Sequence, residues 1–260
     1  AHRVIGYAHF HVTEGTHGPV HQAWLFDHNP LMQYRYRNHL RSKYKTDAAL
    51  RTAWNDPAVP IASAEIPRDK LRGTIPEVSQ LNYWQNAADN GPLRDYLELQ
   101  AELWHEYFRA MGEAMERGTS RNVLFIHDCL KQTMQGWSNW GFFKYGRVRE
   151  EFAWRLAYPE TMSSSGHMGI AGLADSPGFD GLITPHDYQA RGIGGVYEPE
   201  GIVDSKMLRG KYFMSEMDTR THLIKGNEIG RALDMKELTA NTWRNLSTSF
   251  TRGFTSYWME

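Results

Sequence analysis

The chain has 260 residues, enough to bury a sizeable core as one large α/β domain or two small ones. Its 29 basic and 30 acidic residues give a formal charge of −1 with no long run of like charge, which argues against a nucleic-acid or polyanion partner and favours a small neutral ligand. A single cysteine, Cys129, excludes an internal disulfide and a Cys-rich zinc module; no apolar stretch approaches the roughly 20 residues of a membrane helix, so a soluble protein is expected.

In chain order, the first apolar run, VIGYAHFHV (4–12), reads as a core strand running toward Glu14. Weaker helical patterns cover 31–44 and 47–54. The clearest helix lies over 93–115, where Leu97, Ala101, Trp104, Phe108, Met111 and Met115 recur at alternating spacings of four and three and mark one buried stripe. A second strand, NVLFIHD (122–128), leads into Cys129, whose position after an apolar run suggests a buried, unreactive thiol. The ring-rich polar segment MQGWSNWGFFKYG (134–146) holds Trp137, Trp140, Phe142 and Phe143, which suit a sugar platform and a small loop core equally well. Another helical pattern covers 148–156. The runs FDGLIT (179–184), GKYFMSEM (210–217) and FTSYWM (254–259) complete the strands, with a helix over 235–250 between the last two.

Strands that alternate with helices pair in parallel, with the crossovers packed over the sheet. No repeat, low-complexity tract or Pro/Ser linker interrupts the pattern, so residues 1–260 read as one α/β domain. Polar groups gather just after the strands: Glu14, Asp128, Pro185-His186-Asp187, Glu216, Asp218 and Glu260. In parallel α/β folds ligands bind outside the carboxyl ends of the strands, so these acids fall on the functional rim.

Glu14 and Glu216 each end a strand and enter a short polar loop. Two carboxylates about 5–5.5 Å apart across a sugar can split a glycosidic bond, one as acid/base and one as nucleophile. Loop capping, or pairing of Glu216 with Arg220, accounts for the same pattern equally well. The histidines suggest a different chemistry. His9 and His11 share one face of a strand, and with His127, His167 and His186 they could hold zinc as in an amidohydrolase-like enzyme; hydrogen-bonded core histidines are the commoner outcome. The RGIGG run (191–195) opens no helical pattern and lacks an adjacent Lys-Ser/Thr, so it reads as a loop and not a phosphate cradle.

Three stretches together resemble the catalytic barrel of glycoside hydrolases related to family 42 β-galactosidases, in the clan of retaining (β/α)8 enzymes. They are YAHFHVTEGTHGPV with YRNHLRSKYKTDAALRTAWND (7–20 and 36–56), SGHMGIAGLADSPGFDGLITPHDYQARGIGG (165–195) and DSKMLRGKYFMSEMDTRTHL (204–223). The resemblance implies that Glu14, ending the family's fourth strand, is the acid/base, and that Glu216, ending its seventh, is the nucleophile. It implies that Trp258 on the eighth stacks under the sugar, and that Tyr188 and Arg191 border the substrate pocket; Trp137, from the ring-rich segment, is a further candidate substrate contact. Asp218 and Arg220 then orient Glu216, and Thr13 stands where relatives place an asparagine before the acid/base. The implied fold is a partial TIM barrel holding the fourth to eighth βα units.

The expected activity is that of a retaining β-glycosidase acting on β-galactosides or related β-glycosides, with no metal or organic cofactor. A carbohydrate-binding or assembly protein on the same fold is the alternative, beside the zinc hydrolase. Five parallel strands leave two edges, one carrying Ile5, Tyr7 and His9 and the other Thr255 and Tyr257, so a homodimer that covers them is expected.

Overall fold

The computed structural model describes residues 4–9, 27–67, 90–119, 122–128, 170–186, 191–199, 201, 203–226 and 230–258. Five strands, β1 (Gly6–His9), β2 (Leu124–Asp128), β3 (Gly181–Pro185), β4 (Tyr212–Met217) and β5 (Thr255–Trp258), form one parallel sheet whose spatial order equals the chain order. Right-handed crossovers that always step in the same direction put their helices on one face. That winding belongs to a (β/α) barrel and not to a doubly wound sheet, and the chain forms a partial TIM barrel, as expected.

Alternation along β4 separates two environments. Phe213 and Met217 are buried toward the helices, in a core with Phe108, Phe125, Phe179, Leu182, Tyr197, Val203 and Phe254. Tyr212, Met214 and Glu216 take the opposite parity and stay half-exposed. The central strand β3 is buried at every position, which is why FDGLIT reads as a continuous apolar run.

Six helices are described: α1 (Pro30–Tyr44), α2 (Asp47–Trp54), α3 (Gly91–Gly118), α4 (Ile170–Asp175), α5 (Val203–Met207) and α6 (Met235–Arg252). Local chemistry sets the ends of the longer ones. Asn29 caps α1 through Met32 N–H at 2.8 Å ahead of Pro30, Thr46 caps α2 through Ala49 N–H at 3.2 Å, and Asp234 caps α6 through Glu237 N–H at 2.8 Å. Gly253, at φ 76°, takes the left-handed conformation that ends α6.

The 28-residue α3 is about 42 Å long and outreaches the five-residue strand that follows it. One buried stripe is expected from its sequence; the structure shows two. Trp104, Phe108, Met111 and Met115 pack on the sheet core, and at Gly112 an added Cβ would lie 1.9 Å from the Gly178 carbonyl oxygen, so only glycine permits this approach. Leu93, Tyr96 and Leu99 instead join Tyr36, Leu40, Leu50 and Trp54 in a second core with α1 and α2. Within it, the fully buried Asp95 accepts hydrogen bonds from Lys43 Nζ (2.9 Å), Tyr44 Oη (2.8 Å) and Trp54 Nε1 (2.7 Å). Burial alone would raise the Asp95 pKa, and these donors outweigh it, holding the carboxyl below its ordinary value.

Candidate functional site at the carboxyl rim

Glu216 is the penultimate residue of β4 and lies in register with Pro185 on β3 and Tyr257 on β5. Residues in register share a face, so the half-exposed Tyr257 stands beside it on the side away from the helices. Its phenol donates to Glu216 Oε2 at 2.6 Å. Earlier on this face Tyr212 and Thr255 join their hydroxyls diagonally, since Thr255 is in register with Met214.

His186, immediately after β3, is fully buried, and its Nδ1 lies 3.2 Å from the Glu216 carbonyl oxygen. Burial lowers its pKa from 6.5 to about 4, so the ring is neutral at neutral pH and Nδ1 carries the hydrogen. The ring packs against Tyr197 at 5.1 Å between centroids. Tyr197 in turn meets Ser215 Oγ at 2.6 Å, while Ser249 on α6 meets Ser256 on β5 at 2.7 Å. Both serines on β4 and β5 directly precede Glu216 and Tyr257. The helix-facing side of the sheet is thus pinned by hydroxyl contacts behind the residues that face away from it.

The loop after β3 is fixed in a different way. Arg191 is 4% exposed, and its Nη1 donates to the Asp218 carboxylate at 3.1 Å and to the Asp218 carbonyl at 3.2 Å. Arg220 also donates to the Asp218 carboxylate. Arg244, on α6, gives hydrogen bonds to the carbonyls of Gly192 (2.7 Å), Gly195 (2.8 Å) and Arg191 (3.0 Å), so one guanidinium holds most of the RGIGG run. Gly230, at φ +71°, completes the packing: a Cβ there would come within 2.4 Å of Arg191 Cγ.

Several residues implied by the resemblance occupy positions that can be stated. Asp218 and Arg220 join one another beneath the rim, and the described bond to the Glu216 carboxylate comes from Tyr257. Arg191 is a buried ion-pair partner of Asp218. Trp258 is half-exposed and in register with Met217, so it has the parity opposite to Glu216 and Tyr257. Thr13, Glu14, Trp137 and Tyr188 lie outside the described residues, as do His11, His167 and the pattern over 148–156. His127 packs on Phe108 at 4.2 Å on the helix-facing side, and among the described residues no group of three metal-ligating side chains occurs. Sequence reasoning named Tyr257 only as a sheet-edge residue and not as part of the site, since that signal is a strand register that one strand cannot reveal alone.

The carboxylate with its phenol donor can act as a nucleophile or a base toward a ligand lying against the face away from the helices. Comparison with family models finds no match, and comparison with curated proteins finds none. Solved structures share the fold. An exo-β-agarase superposes with TM-score 0.54 at 14% identity over 88% of this chain and 24% of its own. An agarase gives 0.55 at 14% over 98% and 30%, and the catalytic domain of a β-amylase from Paenibacillus polymyxa gives 0.52 at 11% over 87% and 47%. The chain therefore spans between about a quarter and a half of these neighbours' lengths, and what it shares with them is the barrel architecture.

Proposed function

We propose that the protein is a glycoside hydrolase and, at finer grain, a retaining β-glycosidase acting on β-galactosides or related β-glycosides. One observation carries the reading: Glu216 stands at the carboxyl end of β4, on the face away from the helices, with Oε2 engaged by Tyr257. The fold it shares with two agarases and a β-amylase supports the same class.

In this reading Glu216 attacks the anomeric carbon while Glu14 protonates the departing oxygen. Water then displaces Glu216 as Glu14 accepts its proton. His186, neutral and bonded to the Glu216 backbone, fixes the strand end and leaves the carboxylate to react. The test is trapping. An activated 2-deoxy-2-fluoro-β-galactoside, or the corresponding glucoside, should leave one sugar covalently attached, and peptide mass mapping should place it on Glu216. An adduct on another residue refutes the assignment of Glu216.

A further inference from the structure

The polarity of α6 is reversed. Toward the sheet it turns Asn241, Asn245 and Ser249, all buried, whereas Met235, Trp243, Leu246 and Phe250 are exposed, Trp243 at 67% and Phe250 at 87%. At about 100° per residue these four and Thr239 fall within about 80° of one another, so they make one straight stripe. Arg244 is the sole charged residue between Glu237 and Arg252, and its guanidinium is engaged by carbonyls of the 191–195 loop. An exposed helical face that carries aromatic rings and no free charge has the composition of an interface core.

The stripe lies on one particular side. α6 sits over both β4 and β5, since Asn245 Nδ2 donates to Thr219 Oγ1 just after β4 (3.2 Å) and Ser249 meets Ser256 on β5. Arg244 reaches the loop that follows β3, so that flank of α6 faces the inner strands. The stripe occupies the opposite flank and looks past β5, the last strand of the sheet on this side among the described residues. There the half-exposed Trp258 joins it, because Trp258 has the parity of Ser256 and faces the helices.

We infer that on this flank a second copy of the chain packs its own α6, antiparallel, around a two-fold axis that also brings the two β5 edges together. Three observations select a copy over another partner. The stripe is symmetric about its own middle: Met235 and Phe250, like Thr239 and Leu246, lie equally far from the midpoint between Thr242 and Trp243, so a two-fold axis there sets Met235 against Phe250 and Thr239 against Leu246. The spacing also closes. Paired strands are about 4.8 Å apart, so two helices that each lie over β4 and β5 of their own sheet come about 10 Å apart, the ordinary distance between packed helices. The area suffices as well: at about 150–250 Å² per aromatic side chain, the stripe with Trp258 offers on the order of 600 Å² per copy, and the strand edges add to it, which reaches the range of a stable interface. Under this axis the two β5 strands run antiparallel, so the two Glu216 rims face opposite ends of the pair.

Analytical ultracentrifugation over a dilution series provides the test. The unmodified chain should be a dimer at micromolar concentration. Trp243→Glu, at a position exposed in the single chain, should raise the dissociation constant by roughly thirtyfold or more while the circular dichroism spectrum stays unchanged. A monomer at every concentration, which would leave the stripe to some other partner, or a dimer indifferent to Trp243→Glu, overturns the inference. The register gives a second readout that does not depend on that variant. Mild oxidation of Thr239→Cys mixed with Leu246→Cys should link the two chains through these positions, as peptide mapping would show. Neither variant alone should link to itself through its new cysteine, because equivalent positions of the two copies are then about 10 Å apart along the helices, too far for a disulfide. Self-linking of either variant through that cysteine, or no link in the mixture, overturns the inference too.

Discussion

At the scale of single residues, burial converts two ordinary side chains into fixed parts. His186 is fully buried, and its pKa falls from 6.5 to about 4. The unfolded chain protonates this histidine near its ordinary value and the folded protein does so only near 4, so between these limits the unfolded state binds more protons. Stability contributed by the neutral ring is complete above about pH 6.5 and lost as the pH falls toward 4, by about 3 kcal/mol in all. Urea midpoints followed from pH 7 to pH 4 should decline, and His186→Gln should flatten that decline; an equally steep decline in the variant contradicts this origin. The Arg191–Asp218 pair shows the same logic for charge. Both groups are nearly inaccessible, so each depends on the other, and the resemblance that placed Arg191 beside a sugar had no way to register that Asp218 lies within 3.1 Å of it.

At the scale of elements, legibility followed the number of faces an element buries. β3 and β4 are readable in FDGLIT and GKYFMSEM because β-branched and aromatic residues crowd a strand covered by helices. α1, α2, α3 and α6 are readable because their periodic segments are at least eight residues long and carry side-chain caps or flanking Pro and Gly. The five-residue α5 is too short to show a period. The second stripe of α3 was missed for a different reason: Leu93, Tyr96 and Leu99 are apolar in the ordinary helical rhythm, but which partner covers them depends on α1 and α2 folding back across about fifty residues. At the rim, the position of Glu216 at a strand end could be read from KYFMSEMD. Its bond to Tyr257 could not, because it follows from the pairing of two strands separated by α6.

At the scale of the whole molecule, the sheet is an arc with β1 and β5 outermost among the described strands, and Ile5, Tyr7 and Trp258 are exposed along them. An arc whose edges are uncovered among the described residues invites pairing, and we propose that two copies associate through them. Light scattering over a dilution series should show a dimer at micromolar concentration that Tyr7→Lys or Tyr257→Lys weakens; a well-folded monomer throughout contradicts it. The barrel winding brings the carboxyl ends of β3, β4 and β5 together, and with them His186, Glu216 and Tyr257, while the proposed acid/base, Glu14, follows β1 in the chain. The most direct measurement is the turnover of aryl β-galactosides and related aryl β-glycosides by the unmodified protein and by Glu216→Ala, both checked for folding by circular dichroism. A retaining glycosidase with Glu216 as nucleophile should lose activity by at least about a thousandfold in the variant, whereas equal rates, or no turnover of any glycoside by the unmodified protein, contradict it.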